Sequence, residues 1–269
     1  MERYDAKETD SNSNDVIIVE DLTVGYGDEM VLENVSCSVA KGEIFTLIGE
    51  SGCGKSTLIR TITGLIEPEH GRIRIAGEEI TGADGEEALA RARMHMGVLF
   101  QSGALFNSLT VAENVALLPL RFTDLPQELV DEMVQMKLEL VGLGSHGKSM
   151  PAELSGGMKK RAALARAISL DPEILICDEP SSGLDPVTSA EIENLLRELN
   201  EYLGVTLVII THDMETLTRL STRCVMLDRE AKGIVATGPA EELLHESENP
   251  VVRKFFQRQE GRSRARGRL

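Results

Sequence analysis

The chain has no two cysteines in CxxC spacing. Cys37, Cys53, Cys177 and Cys224 stand apart, which predicts reduced thiols rather than a disulfide framework or a zinc site. His70, His95, His146 and His245 also lack ligand-like spacing and read as solvated or core residues. No apolar run approaches the ~18 residues that span a bilayer as a helix; VTLVII at 205–210 is of strand length. The opening stretch MERYDAKETDSNSND lacks the apolar core of a secretory signal, so the expected location is cytoplasmic. Positive charge is in deficit, with 28 Lys and Arg against 44 Asp and Glu and a net charge of −16. Such a surface repels nucleic acid as a main partner, but not a small phosphate ligand held by a few local groups. No internal repeat is present, and low complexity is confined to the C-terminal tail. What remains is an ordinary globular composition, 42% apolar and 27% charged over 269 residues, enough for one large domain or two small ones.

Residues 1–14 are polar and expected to be disordered. VIIVEDLTVGY (16–26) and VLENVSCSV (31–39) read as strands around a short turn, and GRIRIAGEEI (71–80) as a strand pair turning at glycine. GEIFTLIG (42–49) is apolar enough for a strand buried on both faces, and a helix is expected from about Lys55 to Gly64. Between about 104 and 170 the character is helical, with apolar residues at helical spacing over 126–143. PEILICDEP (172–180) and VTLVIITHD (205–213) are further buried strands on either side of a capped helix at 187–204. Residues 215–238 read as a helix running into a hairpin. Strands alternating with helices predict an α/β fold: a parallel sheet core, preceded by an antiparallel β layer and interrupted by a helical insertion.

GESGCGKST at 49–57 matches G-x-x-x-x-G-K-[ST], with Gly49, Gly54, Lys55 and Ser56 in register. Glycines let the backbone curl until successive N–H groups face phosphate oxygens. Lys55 adds charge near the outer phosphates, Ser56 offers a hydroxyl to Mg²⁺, and the following helix adds its positive end. ILICDE (174–179) puts an acidic pair at the carboxyl end of a buried strand, where ligands of open α/β sheets bind. Asp178 is placed to hold Mg²⁺ and Glu179 to orient or deprotonate an attacking water. LSGGM (154–158) opens a second glycine-rich helix start, with Ser155, Gly156 and Gly157. Its plain reading is a helix N-cap. Its place in the insertion, away from the phosphate loop, suits a grip on nucleotide held by another copy, so that two chains related by a twofold axis bury two ATPs.

At these residues the sequence resembles the ATP-binding cassette family, the nucleotide-binding domains of ABC transporters, over about residues 15–245. The resemblance implies a RecA-like P-loop core with an antiparallel β subdomain and an inserted helical subdomain at about 104–170. It implies ATP hydrolysis coupled to transport, with ATP and Mg²⁺ as the cofactors. Gly49, Ser51, Gly52, Cys53, Gly54, Lys55, Ser56 and Thr57 form its Walker A loop, and Asp178 and Glu179 close its Walker B strand. LSGGM is similar to the family's LSGGQ signature, with Met158 in place of Gln. Gln101 resembles the Q-loop residue that senses Mg²⁺ and the permease, and Asp185 in SSGLDP the D-loop aspartate that crosses the dimer. His212 resembles the switch histidine that contacts the γ-phosphate, and Tyr26 the aromatic that stacks on adenine, though a core strand role for Tyr26 stays open.

LFQSGALFNSLTVAENV (99–115), MKLELVGL and PAELSGGMKKRAALARA are similar to the Mla-type phospholipid-transport ATPases. That resemblance implies a homodimer on the cytoplasmic face of the bacterial inner membrane. A separate integral-membrane permease would dock near Gln101–Leu109, with room for further periplasmic or cytoplasmic subunits. Ala104, Leu105, Phe106 and Leu109 are candidates for the docking groove or for the insertion's own core. Another transported substrate, or a soluble ATP-gated clamp, are the alternatives. Residues 246–269 form a C-terminal extension ending in a basic tail, RKFFQRQEGRSRARGRL. The tail reads most simply as flexible and solvated; contact with the partner copy or with anionic lipid is the alternative.

Overall fold

The computed structural model describes residues 14–82 and 84–266; of the polar N-terminal segment only Asn14 falls among them. The chain divides into two compact units, one reaching to Arg93 and resuming at Thr206, the other spanning Met94–Val205.

The first unit begins with β1 (Asp15–Tyr26) and β2 (Glu29–Ala40), followed by β3 (Ile44–Ile48), α1 (Lys55–Ile62), β4 (His70–Ile75), β5 (Glu78–Glu79) and α2 (Gly85–Met94). Strands 1, 2, 4 and 5 make an antiparallel sheet in the order β2-β1-β4-β5, the expected β layer.

The second unit holds β6 (Met96–Leu99), α3 (Val111–Phe122), α4 (Gln127–Leu140), a 3₁₀ turn (Pro151–Glu153), α5 (Gly156–Ala167), β7 (Ile174–Asp178) and α6 (Pro186–Leu203). β6 and β7 run parallel, with Leu99 opposite Cys177. Local chemistry sets these helices. Thr110 and Glu113 exchange hydrogen bonds in a capping box that starts α3. Asp185 caps α6, Pro186 occupies its first turn, and Gly204 ends it at a φ of 68°.

The chain then returns to the first unit with β8 (Thr206–Ile210), α7 (Met214–Leu220), β9 (Arg223–Asp228), β10 (Gly233–Gly238), α8 (Ala240–His245) and α9 (Pro250–Arg266). β3 lies between β8 and β9, parallel to both, and β10 closes the hairpin antiparallel to β9. Every residue of β3 and β8 is buried, which is why both are apolar but for one buried threonine each, Thr46 and Thr206.

The tail departs from its simplest expectation. Residues 250–266 are helical, and Val252, Phe255 and Phe256 are buried in a cluster with Ile48, Leu217, Met226 and Leu243. Each such side chain contributes about 1.5–3 kcal/mol by leaving water, enough to hold the start of a basic segment on the core. Beyond the aromatic pair, Arg258 forms an ion pair with Glu50 of the phosphate loop.

Candidate nucleotide-binding and hydrolysis site

In the first unit the site grows from the carboxyl ends of adjacent parallel strands. Leu47 of β3 pairs with Ile210 of β8, so the loop after Ile48 and the turn carrying His212 leave the same edge. Gly49 must be glycine: its φ is 146°, and a Cβ there would meet the Leu227 carbonyl oxygen at 2.4 Å and Cys53 Sγ at 2.6 Å. Gly54 starts α1 at a φ of 103°, with no side chain capping the helix. Its first-turn N–H groups therefore face the loop rather than a cap, a cradle suited to phosphate. The Lys55 ammonium folds back over this curl and donates to the carbonyls of Gly49 at 2.8 Å and Glu50 at 2.9 Å. Thr57 is buried behind it, while Ser51, Gly52 and Ser56 are exposed on the loop.

Tyr26 ends β1 half-exposed, which answers the open question of a core role. Arg60 of α1 donates to its hydroxyl at 3.4 Å, and hydrogen bonds to Thr57 and then Arg60 hold its pKa below the usual phenol range. The ring is thus fixed beside the phosphate helix with surface left to stack on a base. His212 is exposed in a turn shaped by its neighbours: the Asp213 N–H donates to Thr211 Oγ1, and Asp213 caps α7.

In the second unit Gln101 follows β6 and Asp178–Glu179 follow β7, again at one end of paired parallel strands. Gln101 Nε2 lies 3.4 Å from Ser182 Oγ. Glu179 has a φ of 50° and precedes a proline. That left-handed backbone costs about 1–3 kcal/mol, strain of the kind that gathers at active sites. Asp178 and Glu179 are half-buried. The Lys160 ammonium, itself buried, donates to the carbonyl oxygens of both Gln101 (2.6 Å) and Glu179 (3.1 Å). Burial lowers its pKa, while Cys177, Asp178 and Glu179 push it back up.

Ser155 caps α5 by accepting from the Met158 N–H at 3.2 Å, which leaves its own O–H free to donate elsewhere. The N-cap reading and the ligand-grip reading are therefore compatible. A Cβ on Gly157 would meet Thr188 Cγ2 at 2.4 Å, so the signature glycine marks a close approach of α5 to α6. Asp185 binds the Val187 and Thr188 N–H groups and the Thr188 hydroxyl. The Thr188 hydroxyl bond is the chief cause of its carboxyl's depressed pKa.

The loop between Gln101 and α3 is fastened from behind. Buried Asn114 accepts from the Phe106 N–H and donates to the carbonyls of Phe106, Leu109 and Thr110. Arg166 holds those of Gly103 and Ala104. Ala104 and Phe106 stay exposed, Leu105 and Leu109 half-buried. Leu109 continues into a groove with Ala116, Leu117 and Leu120 of α3 and Val134 of α4, edged by Glu113 and Asp131.

Sequence reasoning missed Lys160, Asn114 and Arg166. For Lys160 a signal existed: Gly157, Lys160, Leu164 and Ala167 fall on one helical stripe, and all are buried.

All four cysteines are free and buried, and desolvation pushes the Cys37 and Cys177 thiols up to about 12. Among the described residues no cluster of three or more His, Cys, Asp or Glu could hold a metal ion. Of the candidate Mg²⁺ ligands, Ser56 is exposed at the start of α1 in the first unit, and Gln101 is exposed and Asp178 half-buried in the second; each offers a hard oxygen of the kind Mg²⁺ takes.

Comparison with known proteins agrees with this chemistry. The model of the ABC transporter family matches residues 32–182. The chain is 40% identical over 240 residues to the intermembrane phospholipid transport system ATP-binding protein MlaF of Haemophilus influenzae, covering 89% of this chain and 90% of that one. It is 43% identical over 241 residues to the probable ribonucleotide transport ATP-binding protein mkl of Mycobacterium leprae, covering 89% of this chain and 68% of the relative. The dimeric, post-hydrolysis structure of the ATP-binding cassette MJ0796 bound to ADP and Pi superposes with a TM-score of 0.74 at 30% identity, over 83% of this chain and 98% of that one. With a P-loop, a strand-end acidic pair and a serine-glycine helix start on the ABC ATPase fold, the chain belongs to the ABC transporter family as an ATP-hydrolysing subunit coupled to transport.

Proposed function

We propose that this subunit drives phospholipid transport between the membranes of a bacterial envelope, from the cytoplasmic face of the inner membrane. The observation that carries the cargo is reciprocal coverage: the match to MlaF spans 89% of this chain and 90% of that protein, whereas the match to mkl leaves about a third of the relative uncovered. A different cargo is the second reading, favoured by the 43% identity to mkl, named for ribonucleotide transport. Among the described residues no helix is long and apolar enough to cross a membrane; this reading assigns the crossing itself to a separate permease. The apolar groove from Leu109 to Leu120 with its acidic edge suits a short amphipathic helix bearing basic residues.

In the proposed cycle, the Walker A backbone and Lys55 hold the phosphates and Tyr26 stacks on adenine. Ser56, Gln101 and Asp178 supply the oxygens for Mg²⁺, which when bound neutralises charge on the phosphates. Glu179 orients and accepts a proton from the attacking water, and His212 donates to the γ-phosphate. Ser155, Gly156 and Gly157 of one copy close over nucleotide held by the other, with Asp185 at the dimer contact. Moving such a clamp from 1:99 to 99:1 closed takes about 5.5 kcal/mol. Charge-assisted hydrogen bonds to two γ-phosphates, at about 1.5–3 kcal/mol each, are sufficient.

Glu179→Gln tests the clamp. It should bind ATP, elute as a dimer and release phosphate at least about 100-fold more slowly. A strict monomer, or parental turnover, rejects the scheme. Cargo is tested by purifying the complex with its permease and identifying what is bound; a complex carrying nucleotide and no lipid reassigns it.

A further inference from the structure

We propose that Lys160 is a positioning residue for ATP hydrolysis: its ammonium ties the backbone of Gln101 to that of Glu179 and fixes both to the helix that begins at the Ser155-Gly156-Gly157 turn. The proposal rests on the reading of Gln101 and Glu179 given above.

A lysine is rarely buried unless its donors are used. Lys160 is 6% exposed, and its Nζ donates to two main-chain carbonyls, Gln101 at 2.6 Å and Glu179 at 3.1 Å. These carbonyls lie just beyond the ends of β6 and β7, so one side chain cross-links the two turns that carry the site's polar groups. Glu179 is the residue most in need of such a tie. Its backbone is left-handed, with a φ of 50°, ahead of Pro180, and such a conformation persists only when its surroundings over-determine it. The Ser182 N–H donates to the same carbonyl at 3.1 Å, so the peptide oxygen of Glu179 is held from two directions. Releasing one lets the peptide relax and swings the carboxylate away from a water it must meet within hydrogen-bond reach.

Lys160 also lies five residues after Ser155 on one continuous helix, about 7.5 Å along its axis. A helix transmits displacement as a rigid rod over that distance. When the serine-glycine turn is pulled onto a nucleotide, the ammonium carries that movement to Gln101 and Glu179. The signature would then govern the water-activating carboxylate of its own chain as well as the nucleotide it grips.

The test compares steady-state phosphate release by the full-length chain with Lys160→Met, Lys160→Gln and Lys160→Arg. Methionine keeps the apolar stem and removes every donor, glutamine keeps a shorter donor, and arginine keeps the charge and several. Loss of positioning should lower kcat by roughly 10- to 100-fold in the methionine variant. KM for ATP should stay within about threefold, since the phosphate-loop contacts are untouched. Glutamine should fall between, and arginine should recover most of the rate. A methionine variant with kcat within about threefold of the parent overturns the proposal, as does a loss shared equally by kcat and KM. Should that variant fail to fold, the glutamine variant decides by the same criteria. Glu179→Gln run alongside separates the two readings. If it still turns over, the assignment of Glu179 fails and Lys160 falls with it; if it is slow while Lys160→Met is fast, only the present proposal fails.

Discussion

Gly157→Ala should destabilise the protein by an amount that can be worked out atom by atom. Within a helix, alanine is favoured over glycine by about 1 kcal/mol. Against this, the new Cβ would lie 2.4 Å from Thr188 Cγ2. Thr188 cannot simply turn aside, because its hydroxyl donates to Asp185 Oδ2 at 2.6 Å and its N–H to Asp185 Oδ1 at 3.1 Å. Forcing a methyl into this contact costs about 1–3 kcal/mol, and it disturbs the Thr188 bonds that hold the Asp185 cap. The net is a loss of about 1 kcal/mol, or about 2–4 °C in melting temperature for a chain of this size. Thr188→Ser removes Cγ2 and keeps the hydroxyl on Asp185. In that background Gly157→Ala should be neutral or stabilising by up to about 1 kcal/mol, a reversal of sign. Urea unfolding of the four proteins of the double-mutant cycle, followed by circular dichroism, reads the coupling directly. A coupling energy below about 0.5 kcal/mol refutes the close approach of α5 to α6 as the reason for glycine at 157.

Lys55→Ala removes the ammonium that lies over the Gly49 and Glu50 carbonyls; titration calorimetry should show ATP binding weakened by about 10- to 100-fold, from the loss of about 1.5–3 kcal/mol. Asp185 has its folded pKa depressed below 3.8, chiefly by the Thr188 hydroxyl, so its contribution is present above the unfolded value and is lost as pH falls through the folded one. The stability gap between the parent and Asp185→Asn should therefore close as acid unfolding is followed below about pH 4, and a gap independent of pH contradicts the assigned cap. Leu120→Asp places a charge in the groove of α3 and α4, and should abolish copurification with the permease while phosphate release by the isolated chain stays within about twofold of the parent.

Much of the site was legible because its chemistry is local. Glycines that must take positive φ, a lysine and a hydroxyl in fixed register write a phosphate loop into nine consecutive residues. Mostly apolar runs mark β3, β7 and β8, interrupted only by Thr46, Thr206 and the terminal Asp178, because strands buried on both faces carry no polar alternation. Asp185, Pro186 and Gly204 bound α6 by capping chemistry that needs no tertiary partner. The short α2, in GEEALARARM, went unread because its apolar content is three alanines and one leucine ahead of its final methionine.

Other features depend on long-range packing. RKFFQRQEGRSRAR reads as a solvated basic tail, yet Phe255 and Phe256 sit in the core and Arg258 meets Glu50, 208 residues earlier in the chain. Of the two adjacent lysines in MKKRA, Lys160 is buried against the Gln101 and Glu179 carbonyls while Lys159 stays half-exposed. The sequence determined which groups could meet a triphosphate, because backbone conformation and capping are settled within a few residues. The tertiary structure decided which lysine is buried, which carbonyls it joins and where the tail comes to rest, because each depends on desolvation by elements far away in the chain.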